Sequence, residues 1–306
     1  MSNTSQMNTE LALACLINDE RYRVLTRFTS RDSYGDAPGG VRLSKGVILD
    51  TETTGTNASE DKVIELGLIV FEYDALTGTP YRILAAYNSF EDPGIPIPAG
   101  ATRVNGITDE MVLGHRIDDQ RVKDLVEDAD IVIAHNSRFD RAVMERRMPF
   151  FKTMPWGCSL TQIKWEAEDI PSAKLGYICY TYGFFFEAHR AEADCRALLE
   201  MLHYPLPVSG ITGLKAILNE YQKEEVSLAA VNSPFHSKDA LKARGYRWEG
   251  TEKFWHTSLS AELLDDETAW LRAIVHGGRP FQMGISKVSA FNRFSDRPIQ
   301  REMIPG

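Results

Sequence analysis

The sequence predicts an α/β fold in which helices flank a mixed central sheet, followed by a small α+β module. Three strand-like segments follow one another through short turns, and helical and strand-like patterns then alternate up to about residue 204. Pro205, Pro207 and Gly210 interrupt this alternation, and a second series of short elements begins after them. We therefore expect a lead-in segment over 1–45, a main domain over 46–204, a linker or helix over 205–225 and the module over 226–306.

The periodicity of the apolar residues predicts each element in turn. Segments rich in β-branched residues predict strands over 47–50, 63–71, 81–87 and 131–134. Apolar residues at helical spacing predict helices over 117–127, 138–147, 172–182 and 190–202. In the module we expect helices over 237–244 and 261–275, with strands near 254–255 and 287–294.

Composition and charge restrict the function. The 306 residues carry a net charge of −9 and contain no apolar run long enough to cross a membrane. The four cysteines are scattered, so reduced thiols and a cytoplasmic location are expected, with no membrane partner. A protein that holds long duplex nucleic acid is normally basic, so any contact with nucleic acid is expected to be local.

Two carboxylates stand at the end of the first strand, in Asp50-Thr-Glu52-Thr-Thr-Gly55. Side chains alternate along a strand, so Asp50 and Glu52 project from the same face. Two neighbouring carboxylates behind an apolar strand indicate a divalent metal bound through oxygen ligands. A solvent-exposed acidic turn explains the same residues equally well.

A third acid, Asp140, follows the apolar strand over 131–134, within His135-Asn-Ser-Arg-Phe-Asp140. Asn136 or the serine after it can cap the helix that begins there, which would place Asp140 on the same helical face as Val143 and Met144. An acid on that face requires a partner. The alternative is an aspartate that interacts with the helix dipole or with a nearby arginine.

A fourth acid, Asp194, ends the run His189-Arg-Ala-Glu-Ala-Asp194. Asp194 shares a helical stripe with Leu198, Met201 and Leu202, the stripe that should face the core. His189 lies five residues earlier, where it could point into the same space or simply cap the helix. Together, the four acids could hold two divalent ions for an in-line phosphoryl displacement, with a histidine to deprotonate water.

These three segments resemble the motifs of DEDDh-type 3′–5′ exonucleases, the family that includes the epsilon proofreading subunit of bacterial DNA polymerase III. The stretch from Pro96 to Asp109 resembles a further loop of that family, and the resemblance covers about half of the chain. One departure is visible: Asn105 stands where many members have histidine.

The resemblance implies a ribonuclease H-like fold and two divalent ions, Mg²⁺ or Mn²⁺. It implies that Asp50, Glu52 and Asp194 hold the catalytic ion, that Asp140 binds the second ion and that His189 is the general base. The residues implied to contact the 3′-terminal nucleotide or to support the site are Thr51, Thr53, Thr54, Asn105 and Asn136.

The C-terminal module mixes basic and aromatic residues and resembles a small domain found in primase- and topoisomerase-like proteins. Its candidate nucleic-acid contacts are Lys238, Lys242, Arg244, Arg247, Trp248 and Trp255. These aromatic residues could stack on single-stranded bases, or they could fill the core of a small module.

The predicted function is 3′–5′ exonuclease action on DNA 3′ ends that are single-stranded or frayed, with release of nucleoside 5′-monophosphates. A ribonuclease that trims RNA 3′ ends and an inactive nucleic-acid-binding scaffold are the alternatives. No sliding-clamp-binding peptide is visible near the C-terminus, so the sequence does not support association with a polymerase, and it does not predict an oligomeric state.

Overall fold

The computed structural model describes residues 3–298 and 300–306, with side chains from residue 9 onward. The strands are β1 Thr26–Arg27, β2 Leu43–Thr53, β3 Val63–Asp74, β4 Thr79–Phe90, β5 Ile131–Ala134, β6 Trp156–Cys158, β7 Phe184–Phe185, β8 Glu225–Ala230, β9 Arg247–Glu249, β10 Phe254–Ser260, β11 Gln282–Val288 and β12 Glu302–Pro305. The α-helices are α1 Asn3–Ile17, α2 Ala99–Asn105, α3 Asp109–Val112, α4 Asp119–Val126, α5 Ser137–Arg147, α6 Ser159–Gln162, α7 Leu175–Thr181, α8 Ala191–His203, α9 Gly213–Tyr221, α10 Lys238–Ala243 and α11 Leu264–Trp270.

The first sheet is mixed and has the strand order β4-β3-β2-β5-β6. β2, β3 and β4 pair antiparallel, whereas β5 and β6 join parallel to β2 and to each other. The predicted fold class, a mixed α/β sheet flanked by helices, is confirmed. β2 is the central strand of this sheet, and it carries the first two acids.

Buried side chains cover both faces of this sheet. Ile48 of β2 packs on the α8 side, in a cluster with Leu198, Met201 and Leu202. Val47 and Leu49 pack on the opposite side, with residues of α5. Because faces alternate along β2, Asp50 and Glu52 project on the side of Ile48, toward the beginning of α8.

Gly67 explains how closely α8 approaches the sheet. It lies opposite Asp50 in the β2–β3 pairing. A Cβ at this position would lie 2.4 Å from the carbonyl carbon of Ala191, the first residue of α8. The glycine therefore lets the helix begin directly against the strand, next to Asp50.

The second sheet is antiparallel and has the order β12-β11-β8-β10-β9. α10 and α11 cover one of its faces. The segment that follows β11 is attached to the first sheet, because the Arg141 guanidinium of α5 donates to the carbonyls of Ala290, Phe291 and Arg293. α9 packs in the core of the first sheet through Leu214 and Ile217. The division into parts at residues 205–225 stays a prediction.

Several predicted elements end at different residues in the structure. β2 continues through Thr53, so the expected turn begins later than predicted. The expected strand over 287–294 instead spans Gln282–Val288, and the sequence analysis missed β6, β7, β8 and β12. All four cysteines are free thiols. Within the described ranges, no helix has the length and apolarity that crossing a membrane requires.

Candidate active site

A cleft of about 690 Å³ opens at the end of β2. The residues that line it are Asp50, Thr51, Glu52, Thr53, Thr54, Gly55, Thr56, Pro98, Gly100, Ala101, Val104, Asn105, His135, Asn136, Phe139, Asp140, His189 and Asp194. Every site residue predicted within the main domain therefore lies around one cavity. The candidate residues of the C-terminal module lie elsewhere.

Three of the acids form a compact group. One carboxylate oxygen each from Asp50, Glu52 and Asp194 lies within 4.8 Å of the other two. β2 supplies the first two from the same face of the strand, and the first turn of α8 supplies the third. The predicted stripe on α8 is confirmed, because Leu198, Met201 and Leu202 are buried.

Asp140 approaches the same place from α5. Its Oδ1 accepts hydrogen bonds from Thr51 Oγ1 at 2.8 Å and from the Thr51 backbone N–H at 3.1 Å. The arginines that follow it in sequence have other partners: Arg141 pairs with Glu145, and Arg147 pairs with Glu91 and Asp119. The alternative interpretation of Asp140 as the partner of one of these arginines is therefore wrong.

The connection from β5 to α5 has an unusual backbone. Asn136 adopts a left-handed conformation with φ 81°, and its side chain makes no capping hydrogen bond. Ser137 does not cap the helix either, because its hydroxyl donates to the carbonyls of Ala134 and Gly157 at the strand ends. Asn136 therefore occupies the predicted N-cap position without the expected capping hydrogen bond, and this turn places Asn136 and His135 at the cleft.

The turn after β2 is held by a further carboxylate, that of Asp61. Thr54 Oγ1 donates to Asp61 Oδ1 at 2.8 Å, and the Asn57 backbone N–H donates to Oδ2 at 2.7 Å. A Cβ on Gly55 would lie 2.5 Å from Asp61 Oδ2, so a larger residue there would displace this carboxylate. Thr53 Oγ1 donates to the Gly55 carbonyl at 2.5 Å, so both threonine side chains shape the rim of the cleft.

Asn105 lies at the end of α2 and is buried. Its Oδ1 accepts from the Ile107 backbone N–H at 3.0 Å. Its side chain also hydrogen-bonds to the Glu52 carboxylate, and this bond lowers the pKa of Glu52 against the larger effect of burial. The residue that departs from the family pattern therefore contacts one of the site acids directly.

The electrostatics of the cleft indicate excess negative charge. Burial and the neighbouring Asp140 and Asp194 raise the pKa of Asp50 well above its usual value. Burial raises the pKa of Glu52 and of Asp140 to about 7, and that of Asp194 to about 6. A bound cation would stabilise the ionised form of these buried, mutually repelling carboxylates. A donor set made only of oxygen atoms suits Mg²⁺ or Mn²⁺.

The sequence analysis missed several residues at or beside the site, Val104 among them. His135 and Phe139 line the cleft, and burial lowers the pKa of His135 to about 4. Glu65 and Arg190 form an ion pair at 3.0 Å at the beginning of α8. Glu65 was detectable in principle, because a lone acid within the apolar run Val63–Phe71 is unusual unless it is paired.

The RNase_T family model, described as Exonuclease, matches residues 47–202, just over half of the chain. The chain is also 27% identical over 165 residues to the DNA polymerase III subunit epsilon of Treponema pallidum, covering 50% of this chain and 72% of that protein. It is 28% identical over 164 residues to the PolC-type DNA polymerase III of Clostridium perfringens, covering 52% of this chain but only 11% of the polymerase.

Solved structures with a similar arrangement include Exonuclease X in complex with 5′-overhanging duplex DNA and E. coli Exonuclease I in complex with a dA16 oligonucleotide. The first is 22% identical with a TM-score of 0.43, covering 56% of this chain and 97% of that one. The second is 16% identical with a TM-score of 0.47, covering 71% and 63%.

The family match covers all three predicted motifs and confirms the resemblance stated from the sequence. The match begins within β2 and ends within α8, so it spans both elements that hold the three-acid group. The chain belongs to the RNase_T exonuclease family, a family of DEDD-type 3′–5′ exonucleases within the ribonuclease H-like superfamily.

Proposed function

We propose that this chain is a metal-dependent 3′–5′ exonuclease that hydrolyses the 3′-terminal phosphodiester of DNA and releases nucleoside 5′-monophosphates. The observation that supports it most strongly is the three-acid group, whose oxygens lie within 4.8 Å of one another beside Asp140. Such a group at the bottom of an open cleft suits a phosphodiester, whose negative charge needs compensating cations.

Each acid has a distinct part in this proposal. Asp50, Glu52 and Asp194 would hold one divalent ion, and Asp140, whose Oδ1 is occupied by Thr51, would contribute to a second. When bound, Mg²⁺ or Mn²⁺ ions supply positive charge that stabilises the attacking and leaving oxygens of the displacement. Without such cations, burial raises the pKa of Asp50 and of Asp140 and so favours their neutral, protonated forms.

His189 is proposed as the general base. It lies at the cleft just before α8, and its side chain is exposed, so solvent reaches it. Its charged form interacts favourably with the neighbouring Asp194 carboxylate and lowers the pKa of that group. A histidine in this place can accept the proton of the attacking water and pass it to solvent.

The rim of the cleft is proposed to bind the terminal nucleotide. Val104 is 59% exposed and lies on the same cleft as Phe139, so the two offer an apolar surface to a base. Thr51, Thr53, Thr54 and Asn136 line the side nearer the acids and would contact the sugar and phosphate.

DNA is proposed as the substrate because the two relatives are named as a PolC-type DNA polymerase III and as a DNA polymerase III subunit epsilon. The RNA alternative stays open, since metal ions act on a phosphodiester that both polymers share. The test is to digest 5′-labelled DNA and RNA oligonucleotides in parallel, with single-stranded and double-stranded ends. Shortening of the DNA one nucleotide at a time supports the proposal, and faster shortening of RNA would replace it with the ribonuclease.

A variant separates this activity from contaminating nucleases. Asp194→Ala removes one member of the three-acid group and should abolish degradation, with the far-ultraviolet circular dichroism spectrum unchanged. Asp265→Ala is the matched control, because Asp265 is exposed on α11, which covers the second sheet. Degradation by Asp194→Ala at the rate of the control would contradict the site assignment.

The C-terminal module is proposed as an accessory contact for the single strand, with a smaller set of residues than the sequence indicates. Trp255 packs against the module core, and Arg244 is paired with Glu267 at 3.0 Å. Trp248 is 52% exposed on the edge strand β9, and Arg247 beside it is exposed. These two residues fit base stacking and phosphate contact, together with the candidates Lys238 and Lys242.

A further inference from the structure

A fifth carboxylate, that of Glu65, lies beside the four acids and is not among the predicted site residues. It stands directly opposite Glu52 in the β2–β3 pairing, and its side chain is 1% exposed. The negative charge of Glu65 contributes to the raised pKa values of Asp50 and Glu52. A buried charge in this position is costly unless it is paired and hydrogen-bonded.

Four donors satisfy Glu65. Arg190 Nη2 donates to Oε1 at 3.0 Å and Arg190 Nε donates to Oε2 at 3.2 Å, which makes a two-pronged pair. The Ala191 backbone N–H donates to Oε2 at 3.2 Å, and Asn88 Nδ2 donates to Oε1 at 2.9 Å. Glu65 therefore binds both the side chain before α8 and the first N–H of that helix.

Arg190 also connects to the three-acid group through its backbone. Its N–H donates to Asp194 Oδ2 at 3.0 Å. Its neighbour His189 has φ 68°, a left-handed conformation that a non-glycine residue adopts only when the surroundings hold it there. The ion pair with Glu65 therefore fixes Arg190, which directly follows the proposed base His189 and donates its backbone N–H to Asp194.

We propose that the Glu65–Arg190 ion pair positions His189 and Asp194 against Asp50 and Glu52. This inference rests on the proposed function, because it assigns the pair a role in that same site. Glu65 and Arg190 are positioning residues: neither lines the cleft, and both act through the backbone at the beginning of α8. They keep that backbone in the conformation that directs the base and the third acid at the substrate.

The test compares Arg190→Gln with Arg196→Gln. Arg196 lies on the same helix and pairs with Glu192 and Asp32. Both variants lose one positive charge and the ion pairing of one arginine, but only the first loses the contact with Glu65. Arg190→Lys keeps the charge without the two-pronged geometry and should recover part of the loss.

The first readout is Mn²⁺ binding to the protein alone, followed by the electron paramagnetic resonance signal of free Mn²⁺. Arg190→Gln should weaken binding roughly 10-fold or more, as loss of a residue that orients a metal ligand does. Arg196→Gln should bind as the wild type does. Equal Mn²⁺ affinity in the two variants would overturn the proposed positioning role.

The second readout separates kcat from KM on a single-stranded DNA oligonucleotide. Misplacement of the base should lower kcat of Arg190→Gln on the order of 100-fold, with KM changed less than about threefold. Glu65→Gln should show the same pattern. A loss confined to KM, or a kcat equal to that of Arg196→Gln, would contradict the proposal.

The outcomes distinguish this inference from the proposed function. If the wild type releases no nucleotide, the exonuclease assignment fails, whereas the Mn²⁺ comparison still decides whether the pair orients the acids. If the wild type is active and both arginine variants retain its activity and Mn²⁺ affinity, the positioning role fails and the exonuclease assignment stands.

Discussion

Replacing Asp140 with asparagine should stabilise the metal-free protein and weaken its stabilisation by metal. Asp140 is 4% exposed, and Thr51 donates two hydrogen bonds to its Oδ1. An asparagine Oδ1 can accept both of these bonds in the same geometry, so Asp140→Asn removes the charge and little else. The variant therefore measures what it costs to bury this charge among three other acids.

The magnitude follows from the pKa of Asp140, which burial raises from 3.8 to about 7. Between these values the folded state binds more protons than the unfolded state, so stability falls as pH rises through this window. The full effect above pH 7 is roughly 4 kcal/mol at most. Asparagine does not titrate, so at pH 8 the variant should melt higher by up to roughly 8 °C, and this advantage should shrink toward pH 4.

The assay is thermal melting in EDTA from pH 5 to pH 8, with Asp265→Asn as the control. Asp265 is exposed in the first turn of α11, and the loss of its charge should hardly move the midpoint. Adding Mn²⁺ should stabilise the wild type by about 3 kcal/mol at 100 times the dissociation constant, and Asp140→Asn by less. If Asp140→Asn melts no higher than Asp265→Asn in EDTA at pH 8, the argument about buried charge is refuted.

Two further predictions concern packing and the module. Gly67→Ala places a Cβ 2.4 Å from the carbonyl carbon of Ala191, so urea unfolding should show a loss of roughly 1–3 kcal/mol. Gly176→Ala is the control, because its added Cβ meets nothing within 4 Å, and its free energy of unfolding should be unchanged or slightly higher. If Gly67→Ala were as stable as Gly176→Ala, α8 would adjust freely to the added methyl group. Trp255→Ala should destabilise the fold by roughly 2 kcal/mol or more because Trp255 packs against the module core. Trp248→Ala removes a half-exposed ring whose contact is the edge-to-face pair with Trp255, so it should lower the melting temperature less than Trp255→Ala does. It should weaken single-strand binding, measured by fluorescence anisotropy, by roughly 1–3 kcal/mol; unchanged binding would remove the module from the proposed interface.

The sequence predicts the acid site well because each acid stands at the end or on the inner face of a strongly periodic element. Asp50 follows three buried apolar residues of β2, and Asp194 begins a stripe of buried residues on α8. Once the periodicity fixes the direction of each side chain, the order strand, helix, helix brings the acids together at the carboxyl end of β2. Both the direction of each side chain and the order of the elements can be inferred from the sequence alone.

The remainder depends on contacts between distant segments. β6 is three residues long and buried throughout, so it has no period to detect. The partner of Glu65 lies 125 residues away, and only the pairing of β3 with the beginning of α8 brings Arg190 to it. The two module tryptophans are cross-strand partners with ring centroids 5.5 Å apart, so they share a face of the sheet. Trp248 is the more exposed of the two because β9 is the edge strand, and the sequence does not state which strand lies at the edge.

The central claim is that water cleaves the 3′-terminal phosphodiester at this four-acid cleft. The most direct measurement is digestion of single-stranded DNA in H₂¹⁸O with Mg²⁺ or Mn²⁺, followed by mass spectrometry of the released nucleotide. The proposal predicts nucleoside 5′-monophosphates that carry one ¹⁸O in the phosphate, released by the wild type and not by Asp50→Asn. Release of nucleoside 3′-monophosphates or internal fragments, or the same labelled product from Asp50→Asn, would contradict it.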